Sequence, residues 1–170
     1  YRFEQICRYF HTTSYKDHPK RGTDAWDPLF HMREFIEHFN KVNKKLWDLP
    51  QYVSLDETTF PTKAHWAIRV YNPKKVHKYG VKFYSINDPA TGFIWHIWPY
   101  CNKQTWPGEA RPKTFSSAYD IVRMAEEAKL GNTGTILVID RGYTSLQVLW
   151  LLKKYLKIDT VGTVNTLALR

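Results

Sequence analysis

The chain has 170 residues, 43% hydrophobic and 16% aromatic, enough for one domain with a proper core and too apolar for a disordered tail. Twenty-five lysines and arginines against sixteen acidic residues give a net charge of +9, which suits a polyanionic partner: nucleic acid first, an anionic membrane surface second. The two cysteines, Cys7 and Cys101, exclude a disulfide framework and a Cys-rich zinc site, and they fit a reducing compartment.

Residues 1–10, YRFEQICRYF, read as a short amphipathic helix with Phe3, Ile6, Cys7 and Phe10 on one face. The chain starts at Tyr1 and not at methionine, so it reads as an excerpt of something longer, with no signal peptide. A polar loop, HTTSYKDHPKRGTD, leads to WDPLFHMREFIEHFNKVNKKL, a strong helix signal. Asp27 is placed to cap it and Pro28 to open it at the first position. Leu29, Met32, Phe35, Ile36, Phe39 and Val42 form its apolar stripe, and Lys41, Lys44 and Lys45 enrich the C-terminal end, where cations are favoured. The pairs His11/His18 and His31/His38 are each seven residues apart, and no cysteine pair completes a zinc set.

After Pro50 the pattern changes to strands. QYVSLDE is the first, GVKFYSIND the second and GFIWHIWPY the third. NDPATG between the last two is a turn cluster and predicts a hairpin. Trp95, Trp98 and Phe93 on the third strand are expected in the core. SSAYDIVRMAEEAKLG predicts a helix ending at Gly131. TGTILVID is a short apolar strand of the kind buried on both faces. TSLQVLWLLKKYL is a helix capped by Thr144 or Ser145 and packed on the sheet, and IDTVGTV is a last strand. The order predicts an α/β domain of about five strands with flanking helices over 50–170, behind a helical lead-in over 1–49. No apolar run approaches the roughly 18–20 residues of a membrane span.

The first strand ends in two adjacent carboxylates, Asp56 and Glu57. Strand neighbours point to opposite faces, so at most one of them serves any single site. The plain reading is a strand running out into solvent, with Glu57 exposed or salt-bridged. Asp140 gives a second reading, because it ends the apolar run ILVI, and sites in open α/β sheets lie at the carboxyl ends of strands. If the strands of Asp56 and Asp140 are parallel neighbours, the two carboxylates converge and repel. A hard divalent cation relieves that repulsion; Mg²⁺ is typically held by one or two carboxylates plus substrate phosphates, and two such ions support in-line phosphoryl displacement.

Four motifs in order, YVSLDETTFP, RVYNPKKVHKYGVKFY, ILVIDRGYTSLQVLWLLKK and IDTVGTVN, together with the helical lead-in, resemble the piggyBac family of DDE/D transposases over nearly the whole chain. The resemblance implies an RNase H-like mixed sheet. It places the first two catalytic, metal-binding aspartates at Asp56 and Asp140, with Mg²⁺ or Mn²⁺ as cofactor. It further implies cleavage of transposon ends through hairpin intermediates, strand transfer into a TTAA target, a possible homodimer, no membrane and a nuclear location. Water and a DNA 3′-OH would be the attacking groups, so no protein nucleophile is expected.

Lys63, Arg69, Lys74, Lys75, Lys78, Lys82 and Arg141 are the expected DNA contacts. The lysine-rich run also holds His77, Tyr71 and Tyr79, suited to phosphates and stacking, or else to a solvated loop. His65 and Trp66 lie where the family has a DNA-facing turn. The chain departs from the family in Arg141 and Gly142 after Asp140, in TKAHW for a usual Lys-Gly-Arg segment, and in GTVN without the usual arginine. No residue maps to the family's third aspartate, and its Cys-rich zinc domain is absent. The isolated chain is therefore expected to be inactive, and to expose apolar surface where the helix bearing that aspartate would cover the first strand. The competing expectation is a non-catalytic DNA-binding or interaction module derived from a transposase.

Overall fold

The computed structural model describes residues 1–9, 12–73, 75–101 and 116–164, without the side chains of Cys7, Arg8, Ser116 and Ser117. Helix α1 (Arg2–Tyr9) leads through a 3₁₀ turn at Tyr15–Asp17 to α2 (Arg33–Leu46). Strands β1 (Tyr52–Pro61), β2 (Arg69–Tyr71), β3 (Tyr79–Asn87) and β4 (Ile94–Pro99) follow. Then come α3 (Ser116–Glu127), β5 (Ile136–Ile139), α4 (Leu146–Leu151) with a π turn at Leu152–Leu156, and β6 (Asp159–Gly162). The strands form one mixed six-stranded sheet in the order β2-β3-β1-β5-β6, and β4 also pairs with β3. This is the RNase H-like mixed sheet with flanking helices that the resemblance implied, with one strand more than expected. No described helix is long and apolar enough to cross a membrane.

Alternation along β1 splits the sheet into two faces. Val53 and Leu55 are buried with Ile86, Leu137, Ile139 and Ile158. Helix α3 covers this face with Ile121, Met124, Ala125 and Ala128, and α4 covers it with Val148 and Leu152. Trp95 and Trp98 join the same core, and Phe93 packs against it, as the sequence led us to expect. On the other face a smaller cluster of Leu29, Ile68, Val81 and Cys101, with Trp66 and Phe83, covers one end. Tyr52, Phe60 and Val161 remain more than half or about half exposed.

Several local expectations change. Helix α2 begins at Arg33, with Met32 as an N-cap that makes no side-chain bond. Asp27 instead organises a turn before the helix: its carboxylate accepts from Leu29 N at 2.9 Å and pairs with the Arg33 guanidinium, Nη2 to Oδ1 being 2.8 Å. The buried face of α2 is Ile36, Asn40 and Asn43, while Phe35, of the expected apolar stripe, is exposed. The helix lies along β4, a sheet edge, and the two asparagines satisfy its backbone. Asn40 accepts from Ile97 N at 2.9 Å and donates to Ile97 O at 3.0 Å, and Asn43 donates to Ile94 O at 2.7 Å. An amide side chain carries both a donor and an acceptor, so it can replace a missing neighbouring strand, which an apolar side chain cannot. Helix α3 ends at Glu127, and Lys129, with a φ of 61°, makes the left-handed turn expected of Gly131. Ser145 caps α4, accepting from Val148 N at 3.2 Å. Phe10, of the expected α1 face, lies outside the described residues.

A paired-carboxylate candidate site

The strand β1 does not end at its carboxylates. It runs on to Pro61 because β3 stays paired with it through Pro61↔Gly80. Only its parallel pairing with β5 stops, at Leu55↔Ile139. Asp56 and Asp140 are the residues that directly follow this last pair, at the same offset of 84 residues. Parallel neighbours are about 4.8 Å apart. Leu55 and Ile139 face the main core, so Asp56 and the residue after Ile139 lie toward the opposite, more open face, and both aspartates are exposed. The condition posed by the sequence, that the two strands be parallel neighbours, is met.

Close packing shapes the turn that carries Asp140. The Asp140 carbonyl accepts from Tyr143 N at 3.0 Å, Thr144 N at 3.1 Å and the buried Thr144 hydroxyl at 2.9 Å. β6 lies against this turn at Gly162, where a Cβ would stand 2.3 Å from Thr144 Oγ1 and 2.9 Å from Ile139 O. Glycine is required there by space. Gly80, opposite Pro61, is under the same constraint, since a Cβ there would lie 2.5 Å from Phe60 O.

Glu57 faces the other way, as strand alternation requires. Lys82 Nζ is 2.5 Å from its Oε2, and the Tyr143 hydroxyl donates to the same oxygen. Burial raises the Glu57 pKa, but the bonds from Lys82 and Tyr143 outweigh it and hold the carboxyl below its ordinary value. Burial acts against the Lys82 charge too, and Glu57 reverses that effect, so its pKa rises. The Tyr143 phenol is pushed up by burial and then by its bond to Glu57. These groups line a cavity of about 340 Å³ together with Thr59, Tyr84, Tyr100 and Asp120.

The basic residues divide. Lys63, Arg69 and Lys78 line one groove of about 530 Å³ with His77 and Tyr79, the Arg69 guanidinium lying 4.6 Å from the Tyr79 ring centre. Lys75 donates to Thr59 Oγ1 at 3.2 Å. The groove meets β1 at Pro61, five residues beyond Asp56, or about 17 Å along the strand. Arg141 is exposed beside Asp140, and its backbone N donates to Asp140 Oδ1 at 2.6 Å. Lys82 stands apart from this groove, held by Glu57 and by the rings of Tyr84 and Tyr100 at 4.6 and 5.3 Å. Lys74 lies outside the described residues. His65 and Trp66 line a second groove of about 420 Å³ with Thr12, Thr13 and His31.

Sequence reasoning did not single out Tyr143. Its signal was its place three residues after Asp140, matched by Glu57 one residue after Asp56. Among the described residues no group of three or more His, Cys, Asp or Glu side chains is gathered to hold a metal ion. The two exposed carboxylates still fit a hard cation that takes its remaining ligands from water and phosphate.

The sequence profile of the family described as Transposase IS4 matches residues 1–167. No curated protein sequence matches the chain. Among solved structures, the piggyBac transposase synaptic complex with hairpin DNA, determined by cryo-electron microscopy, superposes with a TM-score of 0.79 at 20% identity, over 97% of this chain and 33% of that one. The chain thus spans about a third of the length of the solved protein it resembles.

Proposed function

The chain belongs to the Transposase IS4 family, and from that premise we propose that it carries two of the metal-binding carboxylates of a DNA-cutting and strand-transferring transposase core. The observation that supports this reading is the parallel β1–β5 register, which ends at Leu55↔Ile139, the pair directly before the exposed Asp56 and Asp140. A divalent ion such as Mg²⁺ or Mn²⁺ would supply Lewis-acid activation and charge neutralisation at a scissile phosphate. Asp56 and Asp140 would hold it as hard oxygen ligands. Thr144 fixes the backbone of Asp140 while the ligands are engaged. Arg141 would attract phosphate at the rim.

Lys63, Arg69 and Lys78 are the proposed sequence-independent contacts to a DNA backbone running from the groove toward the acid pair, with Lys74 and Lys75, the latter bonded to Thr59, beside them in sequence. The solved relative is a complex with hairpin DNA, which supports DNA as the polymer here. Lys82, engaged with Glu57, serves the protein rather than the nucleic acid in this reading.

The test is Mn²⁺ binding by electron paramagnetic resonance on the 170-residue chain with duplex DNA present. Asp56→Asn and Asp140→Asn should each abolish the bound signal. Unchanged Mn²⁺ affinity in both variants would sink the metal reading. The basic groove also supports a second reading, a non-catalytic DNA-binding module: salt-sensitive DNA binding with no Mn²⁺ at the acid pair would favour it.

A further inference from the structure

Behind the acid pair, on the opposite face of the sheet, lies a polar cluster that metal and DNA binding do not use. Glu57 directly follows Asp56 on β1. Tyr143 stands three residues after Asp140, in the turn whose amides bond to the Asp140 carbonyl. The backbone ladder between β1 and β5 stops at Leu55↔Ile139, one residue short of both acids. The Tyr143–Glu57 bond spans the same two segments just past that point. It carries the pairing on, through side chains, where the main chain has let go. Lys82 locks the bond from β3, with Nζ 2.5 Å from Glu57 and 3.5 Å from the Tyr143 hydroxyl. Tyr84 braces the phenol ring edge to face, with ring centres 6.1 Å apart.

We propose that Glu57, held by Tyr143 and Lys82, is a positioning residue that fixes the separation of Asp56 and Asp140 from behind the sheet, and so sets the divalent-cation affinity of the pair. The inference rests on the metal reading given above. The geometry follows from alternation. Asp56 and Glu57 are one residue apart, so whatever tethers Glu57 on one face fixes Asp56 on the other. The turn after Asp140 transmits the other half of the constraint through the backbone from Tyr143. The bonds to Glu57 are charge-assisted, and its site is partly shielded from water, so they are stronger than bonds between neutral groups.

The experiment measures Mn²⁺ affinity by electron paramagnetic resonance, and amide hydrogen exchange, on the 170-residue chain. The variants are Tyr143→Phe, Glu57→Gln and the double variant. Tyr143→Phe keeps the ring against Tyr84 and loses only the hydroxyl, so the fold should survive, and a thermal melt checks that it does. Each single variant should weaken Mn²⁺ binding about 3- to 10-fold, and the double should lose less than the two singles combined, because the Tyr143 hydroxyl acts on the acid pair through the Glu57 side chain. Amides of Tyr143 and Thr144 should exchange faster in both singles. Wild-type Mn²⁺ affinity in folded Tyr143→Phe and Glu57→Gln, or additive losses in the double, overturns the proposal. If Asp56→Asn leaves Mn²⁺ affinity unchanged, the metal reading fails and the metal half of the clamp falls with it. The exchange rates then judge the mechanical half alone, and unaltered exchange at Tyr143 and Thr144 overturns that as well.

Discussion

Acidification should weaken the fold through one imidazole, His96 on β4. The ring is 3% exposed, beneath α2. Asn40 Nδ2 stands 3.2 Å from its Nε2, and the Asn40 carbonyl oxygen is committed to Ile97 N at 2.9 Å. The amide therefore presents N–H to the ring, and Nε2 must accept, which only an unprotonated nitrogen does. The Trp98 ring lies against it tilted by 47°, with ring centres 4.1 Å apart. Burial, and secondarily the Lys44 charge, push the imidazole down from 6.5 to about 3. The folded pKa lies below the unfolded one, so the unfolded chain takes up the proton first. Stability from this group is complete above pH 6.5 and is lost as the pH falls toward 3. At pH 5 the unfolded imidazole lies about 1.5 pH units below its pKa while the folded one is still neutral, a loss of about 2 kcal/mol at 1.36 kcal/mol per unit. Urea unfolding followed by tryptophan fluorescence at pH 7.5 and pH 5.0, for the parent chain and His96→Phe, measures it. The stability difference between the two should shift by about 2 kcal/mol in favour of the variant at pH 5.0. A difference that stays the same at both pH values refutes the reasoning, because the buried imidazole would then gain its proton without unfolding.

Asn40→Ala leaves the Ile97 N–H and C=O without their side-chain partner on a covered edge. At roughly 1–3 kcal/mol per unsatisfied group it should cost about 2–6 kcal/mol, a fall in Tm of about 4–24 °C by calorimetry, against little change for exposed Lys41→Ala. Gly162→Ala drives a methyl into Thr144 and Ile139 and should cost about 1–3 kcal/mol in the same melt. Gly142→Ala, where a Cβ would meet nothing within 4 Å, should stay within about 0.5 kcal/mol; equal losses at the two glycines would refute the steric account.

The strands with the clearest alternation or apolar run, β1, β3, β4 and β5, were legible in the sequence, because period-two patterning tracks a sheet with one wet face. β2 was not, since Arg69–Tyr71 is too short to show a period and earns its pairing only from β3. The start of α2 was misplaced because Asp-Pro is a good helix opening by local rules, and the ion pair of Asp27 with Arg33 overrides it with a turn. Its buried face was misread because the partner is a bare strand edge, which wants asparagines where a sheet face wants leucines. Asp56 and Asp140 were legible as candidates through the chemistry of paired acids at strand ends, but their meeting hung on strand adjacency, which no local pattern encodes. The tie from Glu57 to Tyr143 spans 86 residues and could be seen only once the sheet was assembled.

The two acids differ in mechanical compliance. Asp56 rides a strand with β3 on one side throughout and β5 on the other up to the preceding residue, so its backbone is held within the sheet. Asp140 has already left its strand and sits at the first bend of a turn. A change in the gap between them is then taken up mainly by the Asp140 side. In the proposed cation site one acid would serve as the fixed jaw and the other as the moving one, and a substitution that softens the turn should change the grip before it costs the fold.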